Sequence, residues 1–419
     1  MSSKKMLLIT YISVFIYPAL LRRIVISRVL DTSLLYNVNY LFVFAFTMIL
    51  ITQFKNRKKI SLRLDYFVLS LCLLILFLTN VIVFDTVSNT LSTSLILQVL
   101  NIVVPIAFIG YSVKKEEFSY IKPKMMKTIN WFVLVLTVLM ILDFFTGRGV
   151  QFFIAEVSNN PRFKELIIKE SYIGYRYYSI WGHPLFNSQL YIFFYIVNMC
   201  EERKYGLPIL KSLLIDITFI LGLILSGGKT GIALGILLIF MKTIVRAQKN
   251  ILLTLGTTII ITFFSFLSYS IGMADSIIKR FLVKDLTSGR FEAISLAFSS
   301  YENPIGVFGN GYNFSLELSR SLTNAATSFE LPVIMYLYDY GYFITTMLVL
   351  GLFIMPLFYL IKRKRWFETV LLIILIANVN SYNGLALMGD YILFYTISVS
   401  FLINHSNSTK LINVSMAEE

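Results

Sequence analysis

The chain has 419 residues, 57% of them apolar and 14% charged, with a formal net charge of +14. Water-soluble domains run roughly 45–50% apolar and about 25% charged, so an ordinary soluble fold is excluded. The mean hydropathy of +0.75, an aromatic share of 15% and 9 prolines also exclude a disordered or fibrous chain. Its 2 cysteines rule out a disulfide-stapled scaffold, and no Cys/His spacing suits a structural metal. What remains is an all-α, polytopic membrane bundle forming one integral membrane domain.

A bilayer core of about 30 Å needs roughly 20 apolar residues per helix. Twelve stretches qualify in chain order: about 5–21, 34–54, 64–84, 91–113, 128–147, 184–200, 209–226, 230–246, 251–272, 332–360, 367–385 and 389–404. The first ends at Arg22-Arg23 with no small-residue cleavage site, so it reads as a true span. Between the seventh and eighth, Gly227-Gly228-Lys229 leaves room only for a hairpin.

Orientation follows the distribution of lysine and arginine. With Lys4 and Lys5 inside, the inner segments collect Lys55–Arg63, Lys114–Lys127, Arg203–Lys211, Lys242–Lys249 and Lys362–Arg365. Both termini are then cytoplasmic. The positive charge is mostly topological and calls for no nucleic-acid partner. Cys72 and Cys200 fall in or at the end of spans and read as buried free thiols.

Two connections are long, about 148–183 and 273–331, both on the expected outer face. Loops of that length in a compact bundle are usually functional or disordered. Their composition is not that of disorder. Ser276–Leu286 alternates apolar and charged residues at helical spacing, as in an interfacial helix, and Asn160-Pro161 starts a second helix.

Three cations stand out by their neighbours. Arg176 precedes Trp181-Gly182-His183-Pro184 at the mouth of the sixth span, and Lys229 lies in Ser226-Gly-Gly-Lys-Thr-Gly231. Arg290 follows Ser288-Gly289 and precedes the glycine-rich run Pro304–Gly311. Glycines let backbone approach a ligand closely, and guanidinium with ammonium at that depth suits a lipid-linked phosphate or pyrophosphate. Gly-Lys-Thr here lacks the full nucleotide-binding loop pattern and sits in an outer hairpin, so a nucleotide site is rejected. Gly231-x-x-x-Gly235 reads as close helix packing.

Acidic residues inside spans default to function. Asp143 and Asp339 could each pair with the outer basic cluster. Asp216 could do functional work or form a tie to a tyrosine or asparagine. At the end of the eleventh span, Asn378, Asn380, Ser381, Tyr382 and Asn383 suit either sugar hydroxyls or helix–helix hydrogen bonds.

At these residues the chain resembles the Wzy/WaaL superfamily of O-antigen and capsular polysaccharide polymerases and ligases. The resemblance rests on Arg176-Tyr-Tyr-Ser-Ile-Trp-Gly-His183-Pro184, on Ser226–Gly231 with lysine in place of arginine, on Gly289-Arg290 with Pro304–Gly311, and on Asp339-Tyr340-Gly341 in place of Glu-x-Gly. It covers roughly residues 170–345. Ligases begin that last segment with His-Asn, whereas this chain has Glu330-Leu331, which favours a polymerase. The Arg-x10-Gly spacing of some polymerase loops is absent.

The resemblance implies a glycosyltransferase of the bacterial cytoplasmic membrane acting on undecaprenyl-pyrophosphate-linked repeat units without a nucleotide sugar. Donor and acceptor are both lipid-linked oligosaccharides, and a flippase and a chain-length regulator are the implied protein partners. Arg176, Lys229 and Arg290 are expected to neutralise the leaving pyrophosphate, with Asp339 beside them. His183 or Glu330 would take the acceptor proton, although His183 could equally be a core or helix-capping residue. No Asp-x-Asp occurs, so neither a metal nor another cofactor is expected. The alternatives are a ligase-type transferase and, from another class, a lipid-linked oligosaccharide flippase.

Overall fold

The computed structural model describes residues 3–26, 36–55, 61–84, 91–158, 161–171, 175–247, 251–282, 290–299, 305–323, 329–386 and 389–409. These are almost entirely helical. Among them there is no strand, only an isolated bridge between Leu62 and Tyr111.

Five helices are long and apolar enough to cross a membrane: Leu64–Phe84, Lys115–Phe145, Ile209–Ser226, Lys229–Ala247 and Pro332–Lys362. The interrupted pair Ser3–Ile16 and Ala19–Val25 would make a sixth. Shorter apolar helices occupy Tyr40–Lys55, Thr93–Ile109, Thr254–Ser270 and Trp366–Val379. The expected first span is therefore two helices, and the break falls at Tyr17-Pro18, where proline has no N–H to continue the ladder. The expected fifth span is longer than the sequence suggests. Its helix begins at Lys115 and runs through Pro123, absorbing residues assigned to an inner loop.

The chain divides into two compact units. One comprises Met1–Ala19, Leu30–Met125 and Thr287–Glu419. Its helices are α1 (Ser3–Ile16), α3 (Tyr40–Lys55), α4 (Leu64–Phe84), α5 (Leu91–Gln98), α6 (Val104–Ile109), α15 (Arg290–Ser299), α16 (Phe314–Thr323), α17 (Pro332–Val349), α18 (Met355–Lys362), α19 (Trp366–Val379) and α20 (Asp390–Thr409). The other, Leu20–Val29 with Met126–Leu286, holds most of α2 (Ala19–Ile26) and the later part of α7 (Lys115–Phe145). It also holds α8 (Gly149–Val157), α9 (Pro161–Ser171), α10 (Pro184–Tyr205), α11 (Ile209–Ser226), α12 (Lys229–Ala247), α13 (Ile251–Ser270) and α14 (Asp275–Leu282). Both long connections, expected on the outer face, thus carry helices. In the second of them α14 ends at Leu282, and the remainder of the expected amphipathic run lies outside the described residues.

In the first unit, α5 passes into α6 and α17 into α18 through π turns at Val99–Val103 and Leu350–Ile354. Each is followed within two residues by a proline, Pro105 and Pro356. A proline ring clashes with the carbonyl four residues back and offers it no N–H, and widening the preceding turn relieves the clash. The carbonyl four before Pro356 is that of Leu352, and it accepts instead from the Tyr395 hydroxyl at 2.9 Å. Its neighbour Gly351 O accepts from Tyr66 at 3.1 Å.

In the second unit, α10 is the central rod and is buried over nearly its whole length. It runs antiparallel to α7, with Thr137 bonded to Tyr191 at 2.7 Å and Asn130 to Asn198 at 3.2 Å. It is also antiparallel to α11, where Tyr191 lies on Gly222, the Tyr195 ring stacks on Phe219 at 4.0 Å, and Ser212 donates to Glu202 at 2.7 Å. Glycines 231 and 235 of α12 lie against Ser188 and Leu223, so a side chain at either would collide, as the small-residue spacing suggests.

Candidate functional site

Within the second unit, three stretches singled out in the sequence form one assembly around the α11–α12 turn. Gly227 ends α11 in the left-handed region at φ 65°, and its N–H returns to Leu223 O and Ile224 O. Lys229 then opens α12 and is half-buried. Against this turn runs the extended segment Tyr175–Tyr178, whose Tyr177 N–H donates to Leu225 O at 3.1 Å. The aliphatic part of Arg176 lies on Gly227, where a β-carbon would stand 3.0 Å from Arg176 Cγ. Arg176 is buried, with 7% exposure. Glycine is thus required at 227 twice over, by backbone conformation and by the arginine.

The segment carrying Arg176 is anchored by Asp143. Its Oδ1 accepts from Gln151 N at 2.7 Å, and its Oδ2 accepts from Gln151 Nε2 at 2.6 Å and Tyr175 Oη at 2.7 Å. Gln151 Oε1 in turn accepts from Tyr178 N at 3.0 Å. The sequence suggested that Asp143 could pair with the basic cluster. Instead it ties α7, α8 and the 175–178 segment together, a buried carboxylate satisfied by three donors.

His183 has the helix-capping role that the sequence left open. It stands just before α10, its Nδ1 accepts from Leu185 N–H at 3.3 Å, and Pro184 takes the first helical position. Trp181 fixes the approach to this cap by packing on Phe132 and Phe186, at 5.2 and 4.9 Å between ring centroids. A neutral imidazole has one accepting nitrogen, and here it serves the helix. Leu185 and Ser188, on the first turns of α10, touch Gly228, so the His-Pro mouth and the lysine turn are packed together.

The first unit holds Asp339, Glu330 and Arg290. Helix α17 is broken at Gly341, with φ 73° and ψ −171°. The glycine-rich loop seats in that break: Asn310 N and Gly311 N donate to Tyr338 O and Asp339 O at 2.9 and 3.0 Å. A β-carbon on Gly341 would overlap Gly309 N and Val307 O. Asp339 is buried, and its Oδ1 accepts from Ser315 N at 2.6 Å, placing a carboxylate at the start of α16. Among the described residues this backbone N–H is the hydrogen-bond donor seen on the Asp339 carboxylate. Glu330 stands two residues before α17 in a left-handed conformation at φ 53°, strain of the kind often held at functional positions. Arg290 opens α15, and Phe298 of that helix meets Tyr338 of α17 at 6.0 Å between ring centroids. The Arg290 side chain, Ser288-Gly289 and Pro304 lie outside the described residues.

The strongest charge cluster is one the sequence reading missed. At the end of the second unit remote from Gly227, Asp216 accepts from Lys242 and Arg246, both at 2.7 Å. Glu202 closes the ring with Arg246 Nε at 2.6 Å and Lys242 at 3.0 Å. Asp216 pairs with these cations and is also hydrogen-bonded to Tyr195, the kind of tyrosine tie the sequence allowed. By sequence Lys242 and Arg246 fall at the end of the eighth apolar stretch and read as inner-face charges, whereas α12 turns both inward. Their i, i+4 spacing on an apolar helix was the available signal. Two acids and two bases cancel, as burial requires.

Cys200 is buried, but Cys72 is partly exposed on α4. In the 378–383 stretch, Asn380 donates to Ile376 O at 2.9 Å and Ser381 to Asn378 O at 2.6 Å, so both serve the end of α19.

Chemically, the α11–α12 turn combines a guanidinium, an ammonium and the positive end of a helix. Groups of that kind are the ones that suit an oxyanion such as a phosphate. No family model matches the chain, nor does any curated protein or solved structure.

Proposed function

We propose that the chain is a membrane glycosyltransferase that polymerises undecaprenyl-pyrophosphate-linked oligosaccharide repeat units at the outer face of the bacterial cytoplasmic membrane. The observation that carries this reading is Arg176 lying on Gly227, two residues from Lys229. Two cations distant in sequence are thereby gathered on one tight turn. The resemblance of these same residues to polysaccharide polymerases supplies the substrate class.

In this reading all twelve apolar stretches cross the bilayer and both termini are cytoplasmic. Helices Pro184–Tyr205 and Asp390–Thr409 supply the two crossings beyond those that are apolar by length and composition. The acceptor hydroxyl attacks the anomeric carbon of the donor, and the bond from that carbon to the pyrophosphate oxygen breaks. Arg176 and Lys229 neutralise the charge growing on the departing diphosphate, and the resemblance assigns Arg290 to an anionic group of the substrate. The hydroxyl proton goes to Glu330, because the accepting nitrogen of His183 caps α10. Asp339 holds the glycine-rich loop in place.

A flippase is the second reading, favoured by the break of α17 at Gly341, since interrupted helices line transport sites. Purified protein in liposomes, given a lipid-linked repeat unit and no nucleotide, separates the readings. A ladder of lengthening chains supports polymerisation. Translocation without growth supports the flippase, and a single transfer to a different acceptor supports a ligase.

A further inference from the structure

A lateral groove lies in the same unit as the α11–α12 turn, at the end away from Gly227. This open groove of about 160 Å³ runs between α7, α10 and α11, walled by Trp131, Leu134, Phe194, Leu214 and Ile215. Lys211 lines it at one end. The Asn130–Asn198 and Glu202–Ser212 contacts set the levels of the three helices, and α7 and α11 run parallel. Lys127, exposed and one turn before Trp131 on the same face of α7, therefore stands at the Lys211 end. Arg203 and Lys204 close α10 at that level. Glu202 is engaged in the buried ring, leaving Glu201 as the acid of α10 set against these cations.

We propose that this groove binds an anionic glycerophospholipid, its phosphodiester held by Lys127 and Lys211 and an acyl chain laid along Leu134, Phe194, Leu214 and Ile215. Trp131, 61% exposed, marks the boundary where indole rings settle between headgroup and hydrocarbon. Lysines beside membrane-crossing helices draw anionic headgroups, and an apolar wall open to the side is what a tail needs. The site does not depend on the polymerase reading. It requires only that α7 and α11 cross the membrane.

Trp131 supplies the probe. The full chain carrying Trp366→Phe, which removes the other exposed indole, is reconstituted with phosphatidylglycerol or phosphatidylcholine brominated on the acyl chain, and tryptophan quenching is measured. Each lysine should favour the anionic lipid by roughly fivefold, so brominated phosphatidylglycerol should quench at much lower mole fraction. Lys127→Gln with Lys211→Gln should abolish the difference while quenching by phosphatidylcholine is retained, which also reports an intact fold. Equal quenching by the two lipids in the parent chain would overturn the proposal. So would a quench relieved by undecaprenyl phosphate but not by unbrominated phosphatidylglycerol, which would assign the groove to a prenyl tail.

Discussion

Gly309 and Gly341 meet backbone against backbone, the loop glycine lodged in the gap that the helix glycine opens. Neither can bear a side chain. Gly341 adopts φ 73° and ψ −171°, a region essentially restricted to glycine, and strain there costs about 1–3 kcal/mol before any steric overlap is counted. Gly341→Ala should lower the thermal midpoint of the purified protein and abolish polymer formation. Gly147→Ala, at an open positive-φ turn with nothing near its β-carbon, should incur only the backbone cost. Equal losses in the two variants would show that the loop contact contributes nothing.

The Glu202–Asp216–Lys242–Arg246 ring predicts strong non-additivity. Removing one member strands a buried charge, at a cost of about 3–5 kcal/mol. Asp216→Asn or Lys242→Met alone should therefore destabilise severely. The two together should recover much of the loss, and denaturant titrations in a double-mutant cycle read the coupling. Additive effects would mean the charges do not interact.

The π turn before Pro356 makes a finer prediction. Tyr395→Phe removes the donor to Leu352 O and should destabilise by about 1–3 kcal/mol, the usual cost of a stranded buried acceptor. In a Pro356→Ala background, residue 356 regains an N–H four residues after Leu352, so the ladder can reclaim that carbonyl. Tyr395→Phe should then cost measurably less. An unchanged cost would separate the tyrosine from the proline.

Topology is open to direct labelling. In a variant lacking Cys72 and Cys200, a cysteine at Lys55 should react only with membrane-permeant maleimide in intact cells, and one at Arg162 with the impermeant reagent as well. The reverse pattern would invert the bundle.

Much of this was legible in the amino-acid order, because it depends on local physics. Hydropathy located the helices, Gly227-Gly228-Lys229 located the hairpin, and Asn160-Pro161 located the start of α9. Pro18 is likewise a local signal, and it divides the first apolar run. What stayed hidden was non-local. Asp216 finds its partners 26 and 30 residues on, one helix later, where lysine and arginine at the end of an apolar stretch look like inner-face charges until the helix faces are known. The seat of Val307–Gly311 in the break at Gly341 depends on tertiary contact, since a glycine inside an apolar run otherwise reads as uninterrupted helix. His183 illustrates the converse: a residue chosen for its chemistry is held by its position before Pro184.

Turnover by purified protein with Arg176→Gln, Lys229→Gln and Arg290→Gln, each assayed on a lipid-linked repeat unit, tests the polymerase reading most directly. Removing a group that stabilises transition-state charge typically costs 10²–10³-fold in rate. Each variant should fall by about that factor with substrate binding changed far less, and Lys229→Arg should retain activity. Full-length polymer made at the parent rate by the Arg176→Gln, Lys229→Gln double variant would contradict the account.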